Sequence, residues 1–295
     1  MPIVSTPAQT VAALEARGTM QWTGDAGKRI AWHWWGEGPA LLLLHGGSGS
    51  WTHWFRNIPD LARDHRVIVP DLPGLGDSDY DSSLTTTEIV AQRVTHDLFE
   101  ILGGADVSIV GFSFGSMVGG YLARDLPQQV KALVLVGAVG MGLRRDPVPM
   151  QSWRTLTNES ARLAAHRANL AALMLHDPAR IDDLTLYLQQ QNAERTRLRT
   201  LRLPRDNNPL AEALTATRVP LAGIWGEKDV TAAPYLDDRR TFLQALRPHV
   251  PFHLIPGIGH WVQFEGADAF NATLRDVLKE LLPVQNKMTA ERTHG

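Results

Sequence analysis

The sequence predicts an α/β protein with a mostly parallel sheet covered by helices on both faces, and three observations carry that prediction. Short apolar runs at 29–35, 40–44, 66–69, 107–111, 131–136, 221–225 and 252–255 alternate with helical stretches; strands buried on both faces read this way. One run feeds Gly111-Phe112-Ser113-Phe114-Gly115 and then a helix of small residues. The alternation stops between Gly137 and about Arg218, where polar, helix-like spans at 150–156, 159–175, 178–191 and 193–201 take over.

Residues 1–18 hold Pro2, Pro7 and a mixed helical stretch at 8–17, with no basic start followed by an apolar block. A secretory leader is therefore not expected, and the cytoplasm is the expected compartment. The run at 41–44 ends in His45-Gly46-Gly47-Ser48-Gly49. A loop this rich in glycine lets backbone N–H groups approach a developing oxyanion unobstructed, and Gly47 and Phe114 are the expected donors. Ser48 is expected beside the substrate, and His45 is expected to shape the loop.

A serine flanked by glycines can be no more than a helix cap. Between an apolar strand and a helix, however, Gly-x-Ser-x-Gly forces the serine into a strained turn that lifts its hydroxyl over the sheet edge. That hydroxyl is protonated at neutral pH, so attack on a carbonyl needs a base beside it and an acid orienting the base. The run at 221–225 leads into Gly226-Glu227-Lys228-Asp229, and the run at 252–255 into Pro256-Gly257-Ile258-Gly259-His260-Trp261. Of 11 histidines, His260 alone follows Gly-x-Gly after a late strand and precedes a helix-like segment, 266–282. Asp229 is the expected acid, with Asp71 and Asp77 as rivals, while Asp237 and Asp238 fall in the helical region beyond. The order Ser113, Asp229, His260 differs from two of the three known triad orders.

The His-Gly loop, Asp71-Leu72-Pro73-Gly74-Leu75-Gly76-Asp77-Ser78, the serine turn, the acid turn and the Gly-His-Trp end together resemble the α/β-hydrolase superfamily from about Arg29 to Leu282. The resemblance implies an eight-stranded, mostly parallel sheet and a serine hydrolase needing no metal or organic cofactor. It also implies a core of residues 1–139 and 217–295 interrupted by a helical cap at 140–216. The Asp71 segment is then scaffold for a turn, and 283–295 is expected to pack weakly.

Hydrophobic residues make up 44% of the 295, enough for a large core, and no apolar run approaches the roughly 20 residues that span a bilayer. With 29 Lys and Arg against 31 Asp and Glu, the net charge is −2, which gives no electrostatic case for nucleic acid or an anionic membrane. Arg195, Arg197, Arg199, Arg202 and Arg205 read as a solvated face. Cysteine is absent, so there is no thiol nucleophile or disulfide, and the histidines lack zinc-ligand spacing. The expected partner is a small-molecule ester or ketone substrate, and a homodimer is compatible with the composition.

Two stretches, 259–271 and 51–57, are similar to carbon–carbon hydrolases that split meta-cleavage products of aromatic degradation. Three positions depart from that pattern: Phe112 replaces a typical Asn before the nucleophile, His53 replaces a second pocket Asn, and Gln189 to Gln191 fall where a cap arginine is usual. Arg195 is then the nearest cation, and Phe112 and Trp261 the expected apolar contacts. A buried anion without a partner is unfavourable by several kcal/mol. The expected reaction is therefore hydrolysis of a small to medium carboxylic ester with an apolar or aromatic acyl group. Carbon–carbon cleavage of a dienol acid is the alternative. Behind it come a cofactor-free haloperoxidase and a non-catalytic ligand receptor.

Overall fold

A computed structural model describes residues 5–200 and 208–282. Among them, β1 (Thr19–Thr23), β2 (Ile30–Trp35), β3 (Ala40–Leu44), β4 (Arg66–Pro70), β5 (Val107–Phe112), β6 (Val130–Val136), β7 (Leu221–Gly226) and β8 (Phe252–Ile255) form one sheet in the order β1-β2-β4-β3-β5-β6-β7-β8. The β1–β2 and β2–β4 pairs are antiparallel and all others parallel. This is the α/β-hydrolase arrangement that the sequence implied. β1, with four of its five residues exposed, has no apolar alternation to announce it.

The helices are α1 (Pro7–Glu15), α2 (Ile58–Leu61), α3 (Thr87–Leu102), α4 (Phe114–Asp125), α5 (Glu159–Asn169), α6 (Asp183–Glu194), α7 (Pro209–Ala216), α8 (Leu236–Leu246), α9 (Val262–Glu265) and α10 (Ala267–Leu281). Period-two alternation along the strands builds two cores. Leu42, Leu44, Ile109, Leu133 and Leu135 face one layer, packed with Val90, Val94, Val118 and Leu122 of α3 and α4. Leu41, Leu43, Val110, Val134 and Ile224 face the other, packed with Phe270, Leu274 and Val277 of α10. Capping fixes the ends of α3: the Thr86 side chain accepts from Ile89 N–H at its start, and Gly103 at φ 59° closes it.

The stretch between β6 and β7 departs from expectation in two places. Residues 150–156 form turns rather than a helix, because Pro147 and Pro149 restrain the approach and Asn158 caps α5 only afterwards. The expected helix at 193–201 ends with α6 at Glu194; the N–H groups of Arg197 and Leu198 donate instead to Gly74 O at 3.0 and 2.8 Å. α5 and α6 pack together, whereas α7 lies along α4, with Leu210 and Ala213 against Gly120. Residues 283–295, expected to pack weakly, lie outside the described residues, as do Arg202 and Arg205. Among the described residues no helix is long and apolar enough to cross a membrane.

Candidate active site

β5 delivers Ser113 at its C-terminal end, where the backbone turns sharply into α4. Ser113 has φ 51° and ψ −111°, a conformation that strains any residue but glycine, and its N–H donates to Val136 O at 2.8 Å. The flanking glycines permit this. A Cβ on Gly115 would stand 2.3 Å from Leu44 O and 2.6 Å from Leu44 C, backbone atoms that cannot yield. At Gly119, one turn on, a Cβ would meet only flexible side chains, the nearest being Leu133 at 3.1 Å. Gly115→Ala is therefore expected to lower the melting temperature sharply or prevent folding. Gly119→Ala should lie near neutral, since relief of glycine's helix penalty offsets slight crowding. Thermal melts of the two variants check this, and equal shifts would contradict it.

His260 follows β8 and Asp229 follows β7, which bring both to the same rim as Ser113. Ser113 Oγ lies 3.1 Å from His260 Nε2, and His260 Nδ1 lies 2.9 Å from Asp229 Oδ2 and 3.0 Å from Oδ1. The carboxylate beside Nδ1 assigns the ring proton there, leaving Nε2 to accept from the serine hydroxyl. Burial would push the Asp229 carboxyl up, but the facing His260 and the bonds from Thr231 hold it below the ordinary carboxylate value. Thr231 donates to Asp229 Oδ1 through both Oγ1, at 2.8 Å, and N–H, at 2.9 Å. Gly137, at φ 50°, abuts the pair; a Cβ there would come 3.2 Å from the His260 ring.

Ser113 and His260 open onto a cavity of about 240 Å³ that Gly47, Ser48, Phe112 and Phe114 also line. Phe114 is the first residue of α4, and neither its N–H nor that of Gly47 is engaged among the described residues. Thr200 crowds Gly47 so closely that a Cβ would fall 2.5 Å from its Oγ1. The Phe112 ring sits 5.0 Å from the His260 ring and 5.6 Å from that of His53. His53 is a buried cavity residue whose Nδ1 accepts from Gly46 N–H at 3.3 Å. Burial, then the neighbouring His45 and His260, hold its pKa well below the usual value, so it stays neutral.

Two expected substrate contacts fall elsewhere. Trp261 is fully buried behind His53, donating from Nε1 to His53 O at 2.9 Å, and does not line the cavity. Arg195 lies outside in a shallow surface depression, with Nη1 3.2 Å from Asp77. α6 ends at Glu194, and the turn that follows directs Arg195 toward the loop after β4. Asp77 is thereby occupied as well. Asp71 is scaffold: it accepts from Trp51 N–H at 2.7 Å and Asp77 N–H at 2.8 Å, and burial pushes its pKa up to about 7.

The cations that do line the cavity are Arg145 and Arg154. Arg154 Nη2 donates to Ala193 O at 3.2 Å and Thr196 O at 3.5 Å, its guanidinium covers Trp153, and no carboxylate among the described residues pairs with it. No motif marks it, because it sits in an irregular turn. Glu265 is a second residue the sequence reading passed over. Its carboxylate, 2% exposed, accepts from three backbone N–H groups: Gly259 at 2.6 Å, His176 at 3.1 Å and Asp177 at 2.8 Å. Among the described residues no group of His, Cys, Asp and Glu comes together to hold a metal.

This fold, with a serine, a histidine and an aspartate meeting at the C-terminal rim of its sheet, defines a hydrolase of α/β-hydrolase architecture. Residues 39–170 match the family model described as "alpha/beta hydrolase fold". The chain is 29% identical to 2-hydroxy-6-oxo-6-phenylhexa-2,4-dienoate hydrolase of Burkholderia cepacia over 256 residues, covering 82% of this chain and 88% of the relative. Among solved structures it resembles a putative aryl esterase from Burkholderia cenocepacia, with a TM-score of 0.73 at 22% identity over 90% of this chain and 99% of that one. It also resembles a meta-cleavage product hydrolase, with a TM-score of 0.69 at 23% identity over 88% and 98%. The chain thus has the α/β-hydrolase fold and is similar to meta-cleavage product hydrolases.

Proposed function

We propose that this enzyme hydrolyses the carbon–carbon bond beside a ketone in a carboxylate-bearing dienol acid, with Ser113 as nucleophile, His260 as base and Asp229 as the acid that orients it. The supporting observation is Arg154, an unpaired guanidinium lining the Ser113 cavity. The ester reading rested on the lack of a cation for the substrate carboxylate, and Arg154 supplies one from a position that linear alignment does not reach. The named relative acts on a dienoate, in keeping with this chemistry.

Ser113 Oγ adds to the ketone carbon as its proton passes to His260 Nε2, and the N–H groups of Gly47 and Phe114 receive the oxyanion. Collapse of the adduct breaks the bond to the adjacent carbon. The bond breaks in the keto tautomer of the substrate, reached when the enol proton moves to the carbon beside the ketone. That carbon leaves with the electron pair, which delocalises through the remaining C=C onto the carbonyl oxygen at the carboxylated end, and the resulting dienolate takes the proton held on His260. Water, deprotonated by His260, then cleaves the acyl-serine ester, releasing an acid and restoring the hydroxyl. Arg154 stabilises the charge that spreads to the carboxylated end. The segment at 140–200, which supplies Arg154, Leu173, Met174 and Gln189 to the cavity, acts as the cap that excludes water.

Ester hydrolysis by the same three residues is a second reading, favoured by Phe112, whose ring occupies the space beside His260 without offering a polar group. Arg154→Gln separates the two. A charge-assisted hydrogen bond contributes about 1.5–3 kcal/mol, so kcat/KM for a meta-cleavage dienone acid should fall roughly 10- to 150-fold, while that for nitrophenyl butyrate stays within about threefold. If wild-type enzyme turned over the ester faster than the dienone acid, and Arg154→Gln left the ratio unchanged, the esterase reading would replace this one.

A further inference from the structure

His260 is held by more than its acid. The residues on either side of it are both tied to one short stretch of the segment between β6 and β7, Trp261 directly and Gly259 through the Glu265 carboxylate. Trp261 N–H donates to Met174 O at 2.7 Å. Gly259 N–H donates to Glu265 Oε2 at 2.6 Å, and the same carboxylate takes the N–H groups of His176 and Asp177. Gly259 lies so close to this stretch that a Cβ on it would stand 2.6 Å from His176 N and 3.1 Å from Met174 O. Leu173 and Met174, at the start of the stretch, line the Ser113 cavity. Arg180, beyond it, donates from Nη1 to Glu265 O at 2.6 Å.

We propose that Glu265 is a positioning residue whose carboxylate locks the cavity wall at Leu173 and Met174 to the loop bearing His260, so that correct seating of that wall sets the imidazole against Ser113. The inference rests on His260 being the base. A carboxylate suits the task because it is acceptor-only, offering up to four lone-pair sites to three converging N–H donors. An amide in its place turns an N–H₂ toward at least one of those donors, and the loop must shift to relieve the clash. A displacement of about 1 Å at a reacting group can lower a rate by on the order of 10²-fold.

The test is Glu265→Gln, assayed on a dienone acid and on nitrophenyl butyrate well below its melting transition. The expected result is a fall in kcat of roughly 30- to 100-fold for both substrates with KM within about threefold, together with a shift or loss of the low-field proton resonance of the His260 Nδ1–Asp229 bond. Glu265→Asp, which keeps the charge but retracts it, is the companion variant should Gln fail to fold; it should lose kcat by a smaller factor, again with KM held. A lowered melting temperature with kcat and the low-field resonance unchanged would make Glu265 a structural residue only and overturn the proposal. His260→Ala distinguishes the two levels: if it is inactive while Glu265→Gln turns over normally, only the positioning role falls. If His260→Ala itself retains turnover, the assignment of the base falls.

Discussion

Ser113→Ala should abolish turnover of esters and dienone acids alike, by a factor on the order of 10⁴ or more, while leaving the melting temperature within a degree or so of wild type. The hydroxyl is a poor candidate for a structural part. It makes no capping bond at the start of α4, and its hydrogen-bond partner among the described residues is His260 Nε2 at 3.1 Å. Alanine removes it without adding bulk and inherits the same backbone strain, held by Ser113 N–H on Val136 O and by the close approach of Gly115 to Leu44. Single-turnover assays with enzyme in excess, alongside a thermal melt, make the measurement. Retention of more than a few per cent of activity in a folded variant would place the nucleophile elsewhere.

Asp229→Asn should lower kcat by roughly 10⁴ with geometry preserved, the scale expected when the acid of a triad is made neutral. The carboxylate takes both the His260 Nδ1 proton and two bonds from Thr231. An amide cannot satisfy all three without turning its N–H₂ toward a donor or forcing the imidazole into the tautomer with Nε2 protonated, which cannot accept from Ser113. Asp229 is fully buried, so no water substitutes for the lost charge. Asp71→Asn is the control. Its loss should appear in stability, because Asp71 braces Trp51 and Asp77 by backbone bonds and does not reach the serine. A 10⁴-fold loss in folded Asp71→Asn, with Asp229→Asn active, would move the acid to Asp71.

What could be read from the sequence is what local chemistry dictates. The buried strands announce themselves as continuous apolar runs, and the serine turn, the acid turn and the Gly-x-Gly-His loop stand immediately after such runs, so their convergence on one rim follows from parallel pairing. β1 escaped notice because an edge strand exposed along most of its length carries no apolar period. The cations that line the cavity escaped for another reason. Arg154 and Arg145 lie in an irregular stretch where no period relates one residue to the next, and their distance from Ser113 is set by how that stretch folds back, a long-range property. Arg195 stands as the nearest cation once Gln189 to Gln191 fall at the usual cap-arginine position, yet the single turn ending α6 at Glu194 sends it outward to Asp77. Trp261 adjoins the base in sequence, but its indole fills the layer behind His53. Glu265 was legible only as one residue of a helix-like tail, since two of its three N–H partners, His176 and Asp177, lie 89 and 88 positions upstream.

The joint between the end of α6 and the loop after β4 has a bearing on how the enzyme responds to ionic strength. Arg195 and Asp77 are each nearly half exposed, so salt at physiological strength, with a Debye length of about 8 Å, leaves that pair little grip. The remaining ties are of another kind: Arg197 and Leu198 N–H on Gly74 O, and Arg197 Nη2 on Gly76 O at 3.0 Å and Ser78 O at 2.5 Å. Bonds to carbonyls carry no net charge on the acceptor side and are scarcely screened. With Arg154 as the proposed partner of the substrate carboxylate, added electrolyte is expected to weaken that attraction while the wall that carries Arg154 stays where it is. Rising salt should raise KM for a charged substrate, leave KM for a neutral ester flat, and hold kcat for both, so that the enzyme tunes its appetite for anions without loosening its frame.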